Sequence, residues 1–470
     1  MAKDIAPILQ TIFQLSYNSS EIPEDWRHAN VVPVYKKGQA HDPANYRPIS
    51  LTCICCKVME HIIVSNIMHH ARRNNILYPM QHGFLSRRSC ETQLLEFTTD
   101  ILENMEHNHQ TDVLIMDFAK AFDKVSHPHL MKKLEYYGIR GLTNKWISSF
   151  LSNRQQRVLI EGEKSEAVPV TSGVPQGSVL GPSLFIYYIN DLATSLKSTV
   201  RLFADDTVAY LAIKGNKDAE DLQSDLNKLG EWETKWRMQF HPSKCQVISI
   251  TKRRNTIDYV YTLHGHTLEH VKEAKYLGIN ITNDLKWSAH INNIIGKASK
   301  SLGFLKRNLQ INQPKLKEQA YKSLVRPHLE YSSTIWDPST KTDIEKLEMV
   351  QRRSARFVLN RYRNTSSVGS MLNQLKWPSL EERRKHARLA MLHKITNDLV
   401  DTPGLKRLLK PTLRPSRHNN TKAYIIPETP KDYIKNSYLP RTIREWNILP
   451  ESIVTAPNID SFKIRLKNPP

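Results

Sequence analysis

No run of apolar residues in this 470-residue chain approaches the roughly 18 that a membrane-spanning helix needs. The most apolar stretch, residues 51–68, is interrupted by Lys57, Glu60 and His61, so no membrane partner is expected. The opening residues, Met1 to Pro7, lack the charged-then-apolar pattern of an export signal, and an intracellular setting follows, nuclear or cytoplasmic without distinction. Cysteine is scarce: Cys53, Cys55, Cys56, Cys90 and Cys245 form an odd, clustered set of five. Such a set in a chain with no signal fits free thiols in a reducing compartment. Cys53 and Cys56 have the spacing of half a zinc site, but no second pair completes it, and they read as thiols near a helix start. Internal repeats, low-complexity tracts and a terminal Cys/His knuckle are also missing.

What the chain does have is positive charge. Its formal net charge is +21 and its pI about 9.6, with the excess spread along the length rather than gathered in a tail. A polyanionic partner is the natural reading, with ordinary solvated charge as the bland one. At this length a large core and more than one domain are expected.

Helical spacing of Ile8, Ile12, Phe13 and Leu15 predicts an opening helix, and prolines 23, 33, 43 and 48 keep the following segment extended before further helices. From 112 to about 282 short strands alternate with helices. The strands fall at 112–117, 155–161, 166–171, 200–213, 246–251 and 276–281, and the helices at 128–152, 182–195 and 218–237. Beyond Trp287, Ile291, Ile294, Ala298, Leu302, Leu305 and Leu309 step by three and four, as do Ile344, Leu347, Val350 and Phe357. Lys300, Lys306, Arg307, Arg352, Arg353 and Arg356 accompany them, which fits helices with one core face and one basic face. Residues 361–470 are rich in proline and arginine, and their periodicity is weak.

Asp205 and Asp206 stand in the apolar stretch Arg201 to Tyr210. Anionic groups covered by apolar flanks demand either raised pKa values or a bound cation, although Asp is also an ordinary turn residue. Asp112 to Asp117 is a second β-favouring run ending on an aspartate, so two strands can deliver acids to one spot, a few ångströms apart. Phe122, five residues on from Asp117, returns toward the same pocket; it reads as core packing or as an aromatic that excludes a 2′-hydroxyl by size. Asp123 reads as a helix cap. In the loop Ser172 to Pro182, Gly173 and Gly177 permit close backbone approach to a ligand, Gln176 can offer an amide to a base or sugar, and the helix that follows points its amides back at the site.

Six ordered segments carry a family resemblance: Asn45 to Leu51, Gln81-His-Gly-Phe84, Asp117 to Asp123, Ser172 to Pro182, Phe203-Ala-Asp-Asp206 and Tyr276-Leu-Gly-Ile279. Together they resemble the reverse transcriptase of LINE-type, jockey-like non-LTR retrotransposons over residues 5–282. The helical remainder is similar to the region that follows the polymerase in these elements. The resemblance implies an α+β right-hand polymerase, with fingers and a ferredoxin-like palm in residues 1–282, a helical thumb in 283–360 and a basic C-terminal region in 361–470. It assigns Asp117, Asp205 and Asp206 to two Mg²⁺ ions, or Mn²⁺ in their place. Phe122 becomes the gate favouring deoxynucleotides, and Gln176 and Gly177 the nucleotide-pocket loop. Lys36 and Arg47 hold the incoming triphosphate, Lys244 sits near the leaving pyrophosphate, and Tyr276, Leu277 and Gly278 grip the primer. The implied partners are an RNA template, a DNA primer or RNA–DNA duplex, and deoxynucleoside triphosphates. The chain begins almost at the fingers, so a nuclease from elsewhere is expected to be needed for integration. The alternative is a nucleic-acid-binding remnant without activity, which the basic helices would serve equally well.

Overall fold

The structure, a computed structural model, describes residues 2–363, 365–412 and 420–468. Helix α1 (Ala2–Ser19) buries Phe13 but leaves Ile8 and Leu15 on the surface at 62% and 66% exposure, so the opening apolar set is not a single core-facing stripe. Strands β1 (His28–Tyr35) and β2 (Tyr46–Leu51) pair antiparallel and β1 continues parallel onto β4 (Arg154–Ile160), with β3 (Gln110–Met116) elsewhere. The short β5 (Glu163–Lys164) and β6 (Val168–Val170) both pair with β4. The two strands expected near 155–171 thus join β1 and β2 in a sheet separate from the one that carries β3. Helices α2 (Ile54–Arg73) and α3 (Cys90–Glu106) precede β3. The helix expected at 128–152 is two, α4 (His127–Tyr136) and α5 (Gly141–Leu151), because Gly138 takes φ +86° between them.

The palm sheet follows from alternation. Helix α6 (Leu180–Ile189), the hairpin β7 (Thr199–Phe203) and β8 (Asp206–Ile213), helix α7 (Asn216–Trp236) and β9 (Gln246–Ile250) come in that order. After a small ribbon of β10 (Thr262–Leu263) and β11 (His266–Thr267), the short β12 (Glu269–His270) closes the sheet order β12-β9-β3-β8-β7. Leaving out β12, this is the split βαβ order of a ferredoxin-like palm. Along β3, Leu114 and Met116 face the core beneath α4 to α7, while Val113 and Ile115 face α3 and the C-terminal helices. Both faces are covered, so β3 is buried almost throughout despite carrying Asp112. That carboxylate accepts from Ser249 Oγ at 2.6 Å, Tyr261 Oη at 2.7 Å and Gln110 Nε2 at 2.8 Å, which satisfies it without a cation.

Residues 276–281, expected as one strand, form a hairpin instead. Strands β13 (Glu273–Tyr276) and β14 (Ile279–Thr282) are joined through Leu277 and Gly278, both at positive φ. Helix α8 (Ser288–Asn308) then buries Ile291, Ile294, Ala298, Leu302 and Leu305, as its spacing requires. Helices α9 (Pro314–Leu324), α10 (Arg326–Glu330), α11 (Ser333–Trp336) and α12 (Lys341–Leu359) pack around it. Helicity continues past 360 with α13 (Val368–Gln374), α14 (Leu380–Thr396), α15 (Pro403–Leu408), α16 (Asp432–Lys435), α17 (Tyr438–Asn447), α18 (Glu451–Val454) and α19 (Ile459–Lys467). Leu380, Met391, Leu405 and Ile443 share one core with the palm strands and α8, and α14 and α17 to α19 close a smaller one around Trp446 and Phe462. The C-terminal segment is thus helical and docked on the palm. No helix among the described residues is long and apolar enough to cross a membrane, and all five cysteines are free.

Candidate active site

The acids meet at the ends of neighbouring strands. Met116 pairs with Thr207 and Phe203 pairs with Asp206, so Asp117 lies one residue beyond its strand, level with the two-residue turn Ala204-Asp205. Burial raises the pKa of Asp205, and the Asp117 carboxylate raises it further. Asp206 is pushed up to about 6, by burial first and then by Asp205 and Asp117. Solvent reaches the Asp206 side chain, yet the concave protein mass around it withholds bulk water, which is enough to disfavour one more negative charge. Lys36 and Arg47 act in the opposite direction on both carboxyls. They stand on the β1–β2 hairpin, where Val34 pairs with Arg47 and Lys36 N donates to Asn45 O. Fingers and palm therefore face each other across the acids.

Convergence is incomplete in detail. Among the described residues, no three His, Cys, Asp or Glu side chains stand close enough to hold a metal ion as they are. Like charges repel, and Asp117 leans instead toward Lys244, whose Nζ lies 3.6 Å from its Oδ2. Lys244 reaches this spot because the turn Pro242–Lys244 is tied back by His241 N donating to Asp117 O. The donor set is nonetheless of the right kind, hard carboxylate oxygens whose mutual repulsion Lys36, Arg47 and Lys244 relieve only in part, and it fits a divalent cation.

Phe122 is half-buried, stacked 4.5 Å from Phe185 and edge-on to Phe84 at 6.3 Å. Asp123 is not a helix cap. It lies within the tight turn Ala121–Lys124, and its Oδ1 accepts from Gln176 Nε2 at 3.2 Å. That bond uses one of the two N–H donors of the amide expected to meet a base or sugar. The loop around Gln176 is clamped on both sides. Gln176 O accepts from Ser50 N, and Gly177, at φ +118°, has Ser50 O where a Cβ would stand 2.4 Å away. Gly173, at φ +86°, is pressed likewise onto Asp123 and Phe122. The amides entering α6 do not point at an open ligand site either: Val179 N and Leu180 N both donate to Glu60 Oε2 at 2.8 Å. Glu60 comes from α2, fully buried, with its pKa raised by burial. Its contact lies some 120 positions away in sequence.

Tyr276 is buried, packed against Phe97, with its hydroxyl accepting from Gln93 Nε2 at 2.9 Å. Its side chain holds the hairpin from beneath and does not reach the surface. Leu277 and Gly278 form the tip, braced by Tyr331 Oη donating to Leu277 O at 3.0 Å.

The sequence profile described as "Reverse transcriptase (RNA-dependent DNA polymerase)" matches residues 34–281. Among curated proteins, the RNA-directed DNA polymerase from mobile element jockey of Drosophila melanogaster is 28% identical over 366 residues, which is 75% of this chain and 39% of that protein. The probable RNA-directed DNA polymerase from transposon X-element of the same fly is also 28% identical, over 371 residues, with the same two coverages. The chain thus spans 39% of the length of these relatives. Of solved structures, apo telomerase from Candida tropicalis aligns with 85% of this chain and 67% of its own at a TM-score of 0.45 and 11% identity.

Proposed function

The chain belongs to the reverse transcriptase (RNA-dependent DNA polymerase) family, and we propose that it extends a primer 3′-hydroxyl with deoxynucleotides on an RNA template. The observation that carries this reading is the meeting of Asp117, Asp205 and Asp206 at adjacent strand ends, opposite the basic Lys36 and Arg47. In this reading the three carboxylates hold two Mg²⁺ ions, which would supply Lewis acidity at the primer hydroxyl and at the leaving phosphates. Lys36 and Arg47 bind the triphosphate from the finger side. Lys244, beside Asp117, offers a positive charge toward the departing pyrophosphate.

Phe122, wedged between Phe185 and Phe84, presents a fixed aromatic edge to the sugar and disfavours a 2′-hydroxyl by size. Gln176 acts through Asp123: the bond between them fixes the loop that carries Gly177 and hence the floor of the nucleotide pocket. Leu277 and Gly278 contact the primer backbone, while Tyr276 supports them. Residues 1–282 serve as fingers and palm, 283–360 as thumb. Template and primer are held through backbone and duplex shape, without sequence readout.

Primer extension by the purified chain on an RNA template with Mg²⁺ tests the reading. Extension that disappears with Asp205→Asn is expected. Salt-dependent RNA binding with no nucleotide added by the wild type would replace it with a binding remnant.

A further inference from the structure

Beneath the Asp205 turn lies a buried side chain that the chemistry above does not use. Gln81 is 1% exposed, and its Oε1 accepts two backbone amides, Ala204 N at 3.0 Å and Gly83 N at 2.7 Å. Ala204 immediately precedes Asp205 and takes φ +55°, a conformation alanine keeps only when its surroundings hold it there. The segment around Gln81 also runs along β7, with His82 N donating to Leu202 O at 2.8 Å and Leu202 N donating to Met80 O at 3.1 Å. Gly83 approaches so closely that a Cβ there would stand 2.3 Å from Ala204 N.

This clamp is held in turn from the far end of the chain. Arg88 Nη1 donates to Gln81 O at 2.5 Å, while its Nε and Nη2 donate to Asp401 Oδ2 at 2.9 and 2.6 Å. Asp401 N donates to Arg87 O. Four residues later Leu405 N donates to Glu96 Oε1 at 3.1 Å, and Glu96 also pairs with Arg201 of β7 at 3.3 Å. The same hairpin is thus gripped through Gln81 on one side and Arg201 on the other, by a segment more than 300 positions from α3.

We propose that Gln81 is the positioning residue for Asp205, and that Arg88 and Asp401 extend its support into the C-terminal region, making residues 401–405 part of the polymerase apparatus. The inference rests on the polymerase reading for its consequence. An orphaned Ala204 amide lets the turn relax, and the carboxylates on either side of it lose the placement a cation requires. Outer partners of this kind typically change metal affinity by about 10- to 100-fold.

The test uses the full chain with Gln81→Met, which removes the acceptor; Gln81→Glu, which keeps an oxygen in place of it; and Asp401→Asn. The Gln81 amide nitrogen has no partner, so Gln81→Glu sacrifices no bond. Mn²⁺ binding is read from the spin resonance of free Mn²⁺ without nucleic acid, with melting in EDTA and Mg²⁺ titration of primer extension alongside. Gln81→Met is expected to weaken Mn²⁺ binding by about tenfold or more and to raise the Mg²⁺ needed for half-maximal extension in proportion, with Gln81→Glu recovering most of both. Asp401→Asn should give a smaller shift of the same sign.

Unchanged Mn²⁺ binding in folded Gln81→Met overturns the proposal. Should that variant not fold, Asp401→Asn decides alone, since its side chain is 43% exposed and removing its charge leaves the core intact; Mn²⁺ binding equal to wild type overturns the proposal. Extension by wild type that Asp205→Asn abolishes but Gln81→Met leaves intact defeats this inference and spares the polymerase. Weakened Mn²⁺ binding in Gln81→Met with no extension by wild type does the reverse.

Discussion

Phe122→Val is the substitution that separates an aromatic gate from ordinary packing. The ring has a fixed position, stacked at 4.5 Å on Phe185 with an interplanar angle of 14° and edge-on to Phe84 at 81°. The stack on Phe185 and the edge contact with Phe84 restrain it from swinging aside when a larger sugar enters. A pocket that discriminates by bulk alone is worth about 1–3 kcal/mol, or roughly 10- to 200-fold in relative kcat/KM. Valine removes most of that bulk, so the preference for a deoxynucleotide over the matching ribonucleotide should fall by about that factor, chiefly through improved ribonucleotide use. Stability should fall by only about 1 kcal/mol, less than a full core truncation, because Phe122 is half-buried. Single-nucleotide incorporation with each substrate on an RNA template gives the ratio, and urea unfolding gives the second quantity. A ratio unchanged within twofold, alongside the expected loss of stability, would refute the gate and leave Phe122 as packing alone.

Three further outcomes follow from the same geometry. Asp206 titrates at about 6 when folded, above the ordinary carboxylate range. The native state therefore binds more protons than the unfolded chain between the two values, and this group's contribution to stability falls as pH rises through about 4 to 6. In EDTA, Asp206→Asn should melt higher than wild type at pH 7.5, with the gap closing toward pH 4.5; equal melting at pH 7.5 would contradict the crowding of charge. Glu60→Leu orphans the buried amides of Val179 and Leu180 at about 1–3 kcal/mol each, so the urea midpoint should drop sharply, with Glu60→Gln intermediate, and an unmoved midpoint would contradict the capping role. Gly177→Ala forces a methyl against Ser50 O at a φ that alanine rarely adopts, which must shift the nucleotide loop and lower the melting temperature; in protein that still folds, extension should slow by about tenfold or more, and unaltered extension would dissociate that loop from catalysis.

Much of the palm was legible because its signals are local. The unbroken β-favouring apolar run of β3, the apolar flanks of Asp205 and Asp206, and the family resemblance of six ordered segments together pointed to acids brought to one spot. The prolines marked the segment around β1 and β2 as extended, whereas Lys36 and Arg47 came only from the family resemblance; their place opposite the acids depends on a hairpin pairing, Val34 with Arg47, that the residues themselves do not announce. The errors came where a partner distant in sequence takes over a group. Glu60 occupies the amides at the start of α6, Asp123 holds one N–H of the Gln176 amide, and Gln93 with Phe97 draws Tyr276 into the core. Nothing in the residues near Gly177 or Tyr276 announces these contacts. Gln81 gave no chemical signal of its own, since a lone glutamine in a loop has many ordinary uses. The C-terminal helices were obscured because α14 buries Arg384, Arg388 and His393 among its apolar residues, which erases the stripe that periodicity detects. Asp337 and Glu445 pair with those arginines from other elements.

The most direct measurement is single-turnover addition of one deoxynucleotide to a DNA primer annealed to RNA, comparing wild type with Asp117→Asn, Asp205→Asn and Asp206→Asn in Mg²⁺. Template-directed addition by wild type, slowed by about a thousandfold or more in Asp117→Asn and Asp205→Asn, is the expected result, since each removes a charge that several kcal/mol of transition-state stabilisation depend on. Tight, salt-sensitive binding of the duplex by wild type with no addition at any Mg²⁺ or Mn²⁺ concentration would contradict it.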